Sequence, residues 1–329
     1  MALYHLGDRV VPYVQRLERE GFEVVSNPVG RCLTEEELVR ILPGIFATIA
    51  GIEPYTERVF QAARDLKIVA RYGVGYDKVD VAAAARHGVA IAMAFGTNHE
   101  AVADSAFTLM AAIVGKVVPA HLHVKSGGWG KDLHPGLWRA TVGIVGLGRI
   151  GKAVARRCRG FEMCVLAYDA VPDIAFAREH GIRFVPLDTL LSEADIVTLH
   201  APHTPETENL ISRERLALMK PTAYLVNTAR GGLVDEAALY EALASGRLAG
   251  AGLDVFRKEP PTGSPLLDLA NVVLSPHSAG SNATSEAAGA NRCIDSILAM
   301  ARGEGPEPEY LLNPDVLRSG RGSVPRLLA

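Results

Sequence analysis

Three glycines and four polar residues of the 329-residue chain have types and spacings that fit one reaction. Gly146, Gly148 and Gly151 in VGIVGLGRIGKAVARRCRG make a G-x-G-x-x-G pattern. Glycines are common, so the pattern alone carries little weight. Here it follows an apolar strand and opens a helical repeat, which would turn helix amides and the positive end of the helix dipole towards a pyrophosphate, while the missing side chains let the backbone come close. The next strand-like run, MCVLAYD, ends at Asp169, roughly 20 residues on, where a carboxylate accepts from both ribose hydroxyls of an adenosine. A 2′-phosphate would meet a like charge there, so NAD is expected rather than NADP.

The other four residues close strands further along. Arg230 ends AYLVNTAR, Asp254 lies within AGLDVF, Glu259 follows it, and His277 ends NVVLSPH. Ligands of an open parallel sheet sit beyond the carboxyl ends of its strands, so all four should gather on one rim. A lone His or Arg in a loop is more often a solvated bystander; coincidence with a phosphate loop is what gives these weight. Oxidising a secondary alcohol requires a base for the hydroxyl proton while hydride goes to a nicotinamide, and imidazole titrates near the working pH. His277 fits as that base, and as the acid in reverse. Glu259 behind the ring would orient it and stabilise imidazolium, and Arg230 offers a fork of donors to a carboxylate or carbonyl oxygen. The expected substrate is a small 2-hydroxy or 2-oxo acid.

The elements that must position these groups fall into two series. From Phe22 to Phe95, β-rich runs (FEVVS, GIFATIAG, KIVARYG, VAIAMAF) alternate with helical patterns, one opening with a capping box at Thr34 and Glu37. Such alternation predicts a parallel α/β sheet, although a helix-like stretch stands where the first strand usually comes. Asn98 is expected to cap the long helix HEAVADSAFTLMAAIVGKV, followed by the Gly/Trp loop KSGGWGKDLHPGLWRA. Six further strands, TVGIVG, MCVLAYD, ADIVTLHAP, AYLVNTAR, AGAGLDVF and NVVLSPH, suit a doubly wound nucleotide-binding domain. A last helix, NATSEAAGANRCIDSILAMARGE, precedes a Pro/Gly-rich remainder from Gly303 to Ala329 that is expected to be coil.

Composition limits the classes. About half the residues are apolar, under a quarter are charged and the net charge is −3, which suits a soluble globular protein and provides no basic field for nucleic acid or anionic lipid. Cys32, Cys158, Cys164 and Cys293 have no metal-ligand spacing and are sparse for a secreted scaffold. The N-terminal segment is too charged for a signal peptide and no apolar run is long enough for a membrane span. A cytoplasmic enzyme with no metal, nucleic acid or membrane partner is expected. A short-chain dehydrogenase is disfavoured because no Tyr is followed by Lys four residues later. A methyltransferase would share the glycine loop but needs no Arg/Glu/His rim.

The motifs GLGRIG, LVNTARGGLVDEAAL, AGAGLDVFRKEPP and LSPHSAG, in that order, resemble the successive signatures of the D-2-hydroxyacid dehydrogenase family, most closely its D-3-phosphoglycerate dehydrogenase-like branch, from about Thr48 to Ala301. The resemblance implies two doubly wound parallel-sheet domains, a Rossmann NAD-binding domain (99–281) inserted into a flavodoxin-like substrate domain (1–98 and 282–329), meeting at a cleft. It implies Arg230, Glu259 and His277 as the catalytic set, and Asp254 near the nicotinamide carboxamide. Arg149, Ile150, Asp169, His200, Thr228, Ala229 and Gly280 are implied as cofactor neighbours beside the three glycines. RYGVGYD would carry the substrate-carboxylate loop, with the amides of Val74 and Gly75 as donors, and two subunits would pair through their cofactor domains. One departure narrows the substrate. The branch often has an arginine in the strand end that here is IAGIEPYT, which has no basic residue, leaving Arg71 as the nearest candidate for a phosphate. No regulatory domain is expected after the last helix, nor feedback control by serine through one. The implied activity is NAD-dependent interconversion of a D-2-hydroxy acid and its 2-oxo acid, of the D-glycerate/hydroxypyruvate, glyoxylate or 3-phosphoglycerate type. The alternative is an NAD(H)-binding corepressor-like module with little turnover.

Overall fold

The computed structural model describes residues 2–3, 11–131 and 133–318. The chain divides into two compact units, Met1–Asn98 with Asn282–Ala329, and His99–Ser281.

In the first unit, β1 (Ala2–Leu3), β2 (Val25–Ser26), β3 (Ala47–Ala50), β4 (Ile68–Arg71) and β5 (Ala90–Met93) form a parallel sheet in the order β2-β1-β3-β4-β5. This is the flavodoxin-like winding. The strand missing from the sequence pattern is β1: it pairs with both β2 and β3, and its two residues are too few to leave a periodic trace. β3, β4 and β5 are four-residue runs of Ala, Ile, Val, Thr, Met and one Arg, buried throughout, as strands covered on both faces must be. One face carries Leu38, Leu42, Val59 and Phe60; the other carries Leu17, Ile294, Ile297 and Leu298. Thr34 and Glu37 form the expected capping box on the helix Glu35–Ile41. The tail differs from the expected coil as far as residue 318. Leu311 bridges Ala92, and the Asn313 side chain accepts from Ile91 N (2.8 Å) and donates to Val89 O (2.9 Å), so an amide side chain continues the sheet's hydrogen bonding where a strand is lacking. Residues 319–329 lie outside the described residues.

The second unit holds seven parallel strands: β6 (Thr141–Val145), β7 (Cys164–Tyr168), β8 (Arg183–Phe184), β9 (Ile196–Leu199), β10 (Tyr224–Asn227), β11 (Gly250–Leu253) and β12 (Val272–Leu274). Their order is β12-β11-β10-β9-β6-β7-β8, the doubly wound nucleotide-binding order with one strand appended. Six match the expected runs. β8 is a two-residue edge strand with no apolar pattern of its own. The strand order reverses between β6 and β9, which places the switch point beside the glycine loop that follows β6. The expected long helix is two, His99–Val114 and Val117–Lys125, bent by 59° at Lys116, whose φ is +49°. Asn98 does not cap the first of them: its Oδ1 is buried and accepts no hydrogen bond. No single helix among the described residues is long and apolar enough to cross a membrane, although that bent pair passes by length and composition.

Candidate active site

The glycine loop is shaped by contacts that exclude side chains. Gly146 has φ +94°, and a Cβ there would stand 2.7 Å from the carbonyl carbon of His200. At Gly151 a Cβ would stand 2.1 Å from Gly146 O, so the helix Arg149–Arg159 can approach the strand end only with glycine at this position. Gly148 is different: a Cβ there would meet nothing within 4 Å. It caps that eleven-residue helix without any side-chain hydrogen bond, leaving helix amides with open space ahead of them, as an anion site requires. Arg149 and Ile150 form the first turn. Asp169 closes the loop from the next strand: Oδ2 accepts from Leu147 N (2.7 Å) and Oδ1 from Val171 N (2.9 Å). Two more unpaired polar atoms lie at the strand ends. His200 Nδ1 and Thr228 Oγ1 are buried without partners, while His200 Nε2 is 3.0 Å from Thr198 Oγ1. Burial pushes the His200 imidazole down to about 3, so it is neutral at ordinary pH.

The polar rim forms at the ends of β10, β11 and β12, which are neighbours in register. Asn227, only 1% exposed, braces the turn after β10: Oδ1 accepts from Ala229 N (3.0 Å) and Nδ2 donates to Arg230 O (2.8 Å). Gly231 then passes so close to the next loop that a Cβ would stand 2.0 Å from the carbonyl carbon of Phe256. After β11, the buried Asp254 accepts from Ser275 Oγ (2.6 Å), Ser278 N (2.9 Å) and Ala279 N (3.0 Å). His277 N donates to Asp254 O (2.8 Å). These bonds hold His277 at φ +51°, a left-handed backbone that costs an L-residue about 1 kcal/mol. Ser105 Oγ secures the end of the turn through Ala279 O (3.0 Å), next to Gly280.

His277 Nδ1 and Glu259 Oε2 are 2.7 Å apart, and Glu259 Oε1 accepts from Phe256 N (3.1 Å). Burial raises the Glu259 pKa, but the hydrogen bonds from His277 and Phe256, with the charges of His277 and Arg230, outweigh it and hold the carboxyl below its ordinary range. The structure therefore brings Arg230, Asp254, Glu259 and His277 together, and separately joins Gly146, Gly151, Asp169 and His200. With Nδ1 held by Glu259, Nε2 is the nitrogen left to exchange a proton. Asn227 and Ser275 escaped the sequence reading. Each stands at a strand end, in VNTAR and LSPH, and both residue types are commonly loop formers.

In the first unit, Arg71 closes β4 and is nearly buried. Val74 and Gly75 follow it in a loop of half-buried residues that begins at Gly73, whose φ is +108°.

The family profile described as D-isomer specific 2-hydroxyacid dehydrogenase, NAD binding domain, matches residues 107–279. The chain is 45% identical over 273 residues to a glyoxylate reductase of Korarchaeum cryptofilum, covering 81% of this chain and 82% of that protein. It is 40% identical over 294 residues to a D-3-phosphoglycerate dehydrogenase of Archaeoglobus fulgidus, covering 88% of this chain but 55% of that protein. A D-lactate dehydrogenase from Aquifex aeolicus, solved with NAD and lactic acid, superimposes with a TM-score of 0.82 at 29% identity, over 92% of this chain and 96% of that one.

Proposed function

The chain belongs to the D-isomer specific 2-hydroxyacid dehydrogenase family, and from that premise we propose how its own residues carry the reaction. It is an NAD-dependent oxidoreductase that interconverts a D-2-hydroxy acid and its 2-oxo acid. The observation that carries the residue assignment is the 2.7 Å bond between His277 Nδ1 and Glu259 Oε2 in the field of Arg230. A structural ion pair needs no arginine beside it and no strained backbone under the histidine.

The residues at the glycine loop fit a dinucleotide. Open space at Gly148, the uncapped helix behind it and Asp169 at the neighbouring strand would hold pyrophosphate and adenosine ribose, and the unpaired Thr228 Oγ1 and His200 Nδ1 offer further polar contacts. Ala229, Asp254 and Gly280 complete the proposed lining, and 99–281 is the proposed cofactor domain. When bound, NAD supplies the hydride acceptor, and its reduced form the donor. His277 Nε2 takes the hydroxyl proton of the hydroxy acid, and returns it in the reverse direction. Glu259 keeps the ring oriented and offsets the charge of the imidazolium. Arg230 binds the substrate's carboxylate or carbonyl oxygen, and the amides of Val74 and Gly75 bind the carboxylate.

We assign a short 2-oxo acid of the glyoxylate or hydroxypyruvate type as substrate. The glyoxylate reductase relative is 45% identical to this chain and the phosphoglycerate dehydrogenase 40%, and the stretch IAGIEPYT has no basic residue for a phosphate. Following NADH absorbance with glyoxylate, hydroxypyruvate, pyruvate and phosphohydroxypyruvate tests this; a higher kcat/KM for the phosphorylated acid than for the other three overturns it. The same assay without turnover on any 2-oxo acid would revive the corepressor-like alternative. We further propose a homodimer through the second unit. The helix Val117–Lys125 buries none of its side chains, and Trp129, Leu133 and Trp138 beyond it are largely exposed, large apolar groups of the kind that mark an interaction surface. Sedimentation at micromolar concentration should give twice the chain mass of 35.1 kDa. The four free cysteines, two of them buried with thiols pushed up to about 12, support placing the enzyme in the reducing cytoplasm.

A further inference from the structure

Four polar side chains are enclosed in the first unit near the carboxyl ends of β3 and β4. Glu53 is 4% exposed and Arg71 8%, while the buried Thr48 and Tyr55 bond to each other through their hydroxyls at 3.2 Å. A buried guanidinium and carboxylate are a poor way to stabilise a fold, since apolar residues of the same volume do as well or better. What they touch suggests another purpose. The Arg71 side chain folds back under the loop that follows it: Nη1 donates to Ala50 O (3.3 Å) and to the carbonyl oxygen of Tyr72, and lies 3.5 Å from where a Cβ on Gly73 would stand. Glu53 Oε2 accepts from Gly51 N (2.6 Å). Burial raises the pKa of this carboxyl, and the charges of Arg71 and Lys78 are among the influences that pull it back, while its bond to Gly51 N fixes the residue next to Ala50, whose carbonyl accepts from the guanidinium. The other side of the loop's root is also fixed, because a Cβ on Gly289 of the helix Ala283–Ala301 would come within 3.0 Å of the Tyr72 ring.

We propose that Arg71 and Glu53 are positioning residues for the loop at 73–76: the guanidinium ties the carbonyl of Tyr72 to that of Ala50, the charge of Glu53, fixed at Gly51 N beside Ala50, balances that of the guanidinium, and the Val74 and Gly75 amides are thereby set for the substrate carboxylate before it binds. The inference rests on the reading that those amides bind that carboxylate. Arg71, the sequence's candidate for a phosphate, donates to main-chain carbonyls of its own unit. A loop ordered in advance lowers the cost of ordering it on binding, which appears as affinity.

The experiment compares Glu53→Gln, Arg71→Lys, their double variant and Val74→Pro, with glyoxylate and phosphohydroxypyruvate as substrates and NADH titration as a control. Glu53→Gln keeps the acceptor for Gly51 N and removes only the charge. Each single variant of the pair should raise KM for glyoxylate about tenfold, the loss of roughly one charge-assisted hydrogen bond, with kcat within about threefold and NADH affinity unchanged. The double variant should be no worse than the weaker single one, since both act on the same loop. Val74→Pro deletes one of the proposed donors and should raise KM by itself. If Val74→Pro raises KM while the pair variants do not, the positioning role is overturned and the loop reading stands. If none of them moves KM, the loop reading fails and takes the positioning role with it. An increase in Arg71→Lys confined to phosphohydroxypyruvate also overturns the proposal, since it would make Arg71 a phosphate ligand. Should Arg71→Lys fail to fold, Glu53→Gln decides alone.

Discussion

Glu259→Gln isolates the charge behind the proposed proton carrier while keeping its shape. The glutamine oxygen still accepts one of the two bonds that Glu259 now receives, from His277 Nδ1 at 2.7 Å and Phe256 N at 3.1 Å, so the ring should stay in place. What disappears is the negative charge facing the imidazolium that forms when the substrate hydroxyl is deprotonated. Opposite charges about 4 Å apart attract by about 4 kcal/mol at an effective dielectric of 20 and about 1 kcal/mol in bulk water. The His277 and Glu259 side chains are 38% and 29% exposed, between those limits, so about 2 kcal/mol of stabilisation is lost. That corresponds to about a 30-fold fall in kcat for oxidation. Stopped-flow hydride transfer across pH 4 to 9 separates the step from product release. A variant with kcat within about twofold of the parent would refute the pairing of Glu259 with His277.

Replacing His277 by Ala should lower kcat by about 10²–10⁴ with NADH affinity nearly intact; an unchanged rate removes it from the chemistry. Asp169→Ala should weaken NAD binding and its preference over NADP together, because the carboxylate also fixes the loop amide of Leu147; an intact preference by paired titrations disproves the ribose assignment. His200 makes an acid-stability prediction. Its pKa falls from about 6.5 unfolded to about 3 folded, so its contribution is complete above the unfolded value and is lost as pH falls from about 6.5 towards 3. Urea unfolding of His200→Gln should show a flatter decline over that window, and a parallel decline would contradict the buried, neutral ring.

The sequence revealed what repeats and what is charged. Long apolar runs such as TVGIVG and AYLVNTAR, the glycine pattern and the His277 strand end were legible because a strand buried on both faces leaves little choice of residue and a phosphate loop leaves little choice of spacing. Ala2–Leu3 and Arg183–Phe184 were not, because a two-residue strand takes its conformation from its neighbours rather than from any pattern of its own. The break at Lys116 was marked by Gly115 and Pro119, but the apolar repeat running across them masked that signal. Asn98 was a reasonable cap by type, yet its oxygen is enclosed without a partner, a difference of tertiary placement that local preference does not encode. The tail from Gly303 to Arg318 looked like coil by composition and is tied down by Asn313, a single amide whose value depends on a sheet edge more than 200 residues away.

The braces explain why so much of the site is invisible to motif spacing. Arg230, Glu259 and His277 all stand on loops, and a loop holds a side chain to a fraction of an ångström only if its own backbone groups are bonded. Asn227 does this for the arginine turn, and Asp254 for the histidine turn. Phe256 N does it for the glutamate, with no side chain committed. Each brace lies within four residues of the group it serves or one strand over, because neighbouring parallel strands in register end side by side. Asn227→Ala is the sharpest test of this division of labour. It leaves a backbone amide and a carbonyl without their buried partner, which costs about 1–3 kcal/mol of stability, and it frees the turn that carries Arg230. The substrate KM should rise while the hydride-transfer rate at saturating substrate, which depends on His277 and Glu259, stays within about threefold. If that rate falls as well, the three loops are one coupled unit and the separate bracing described for each is wrong.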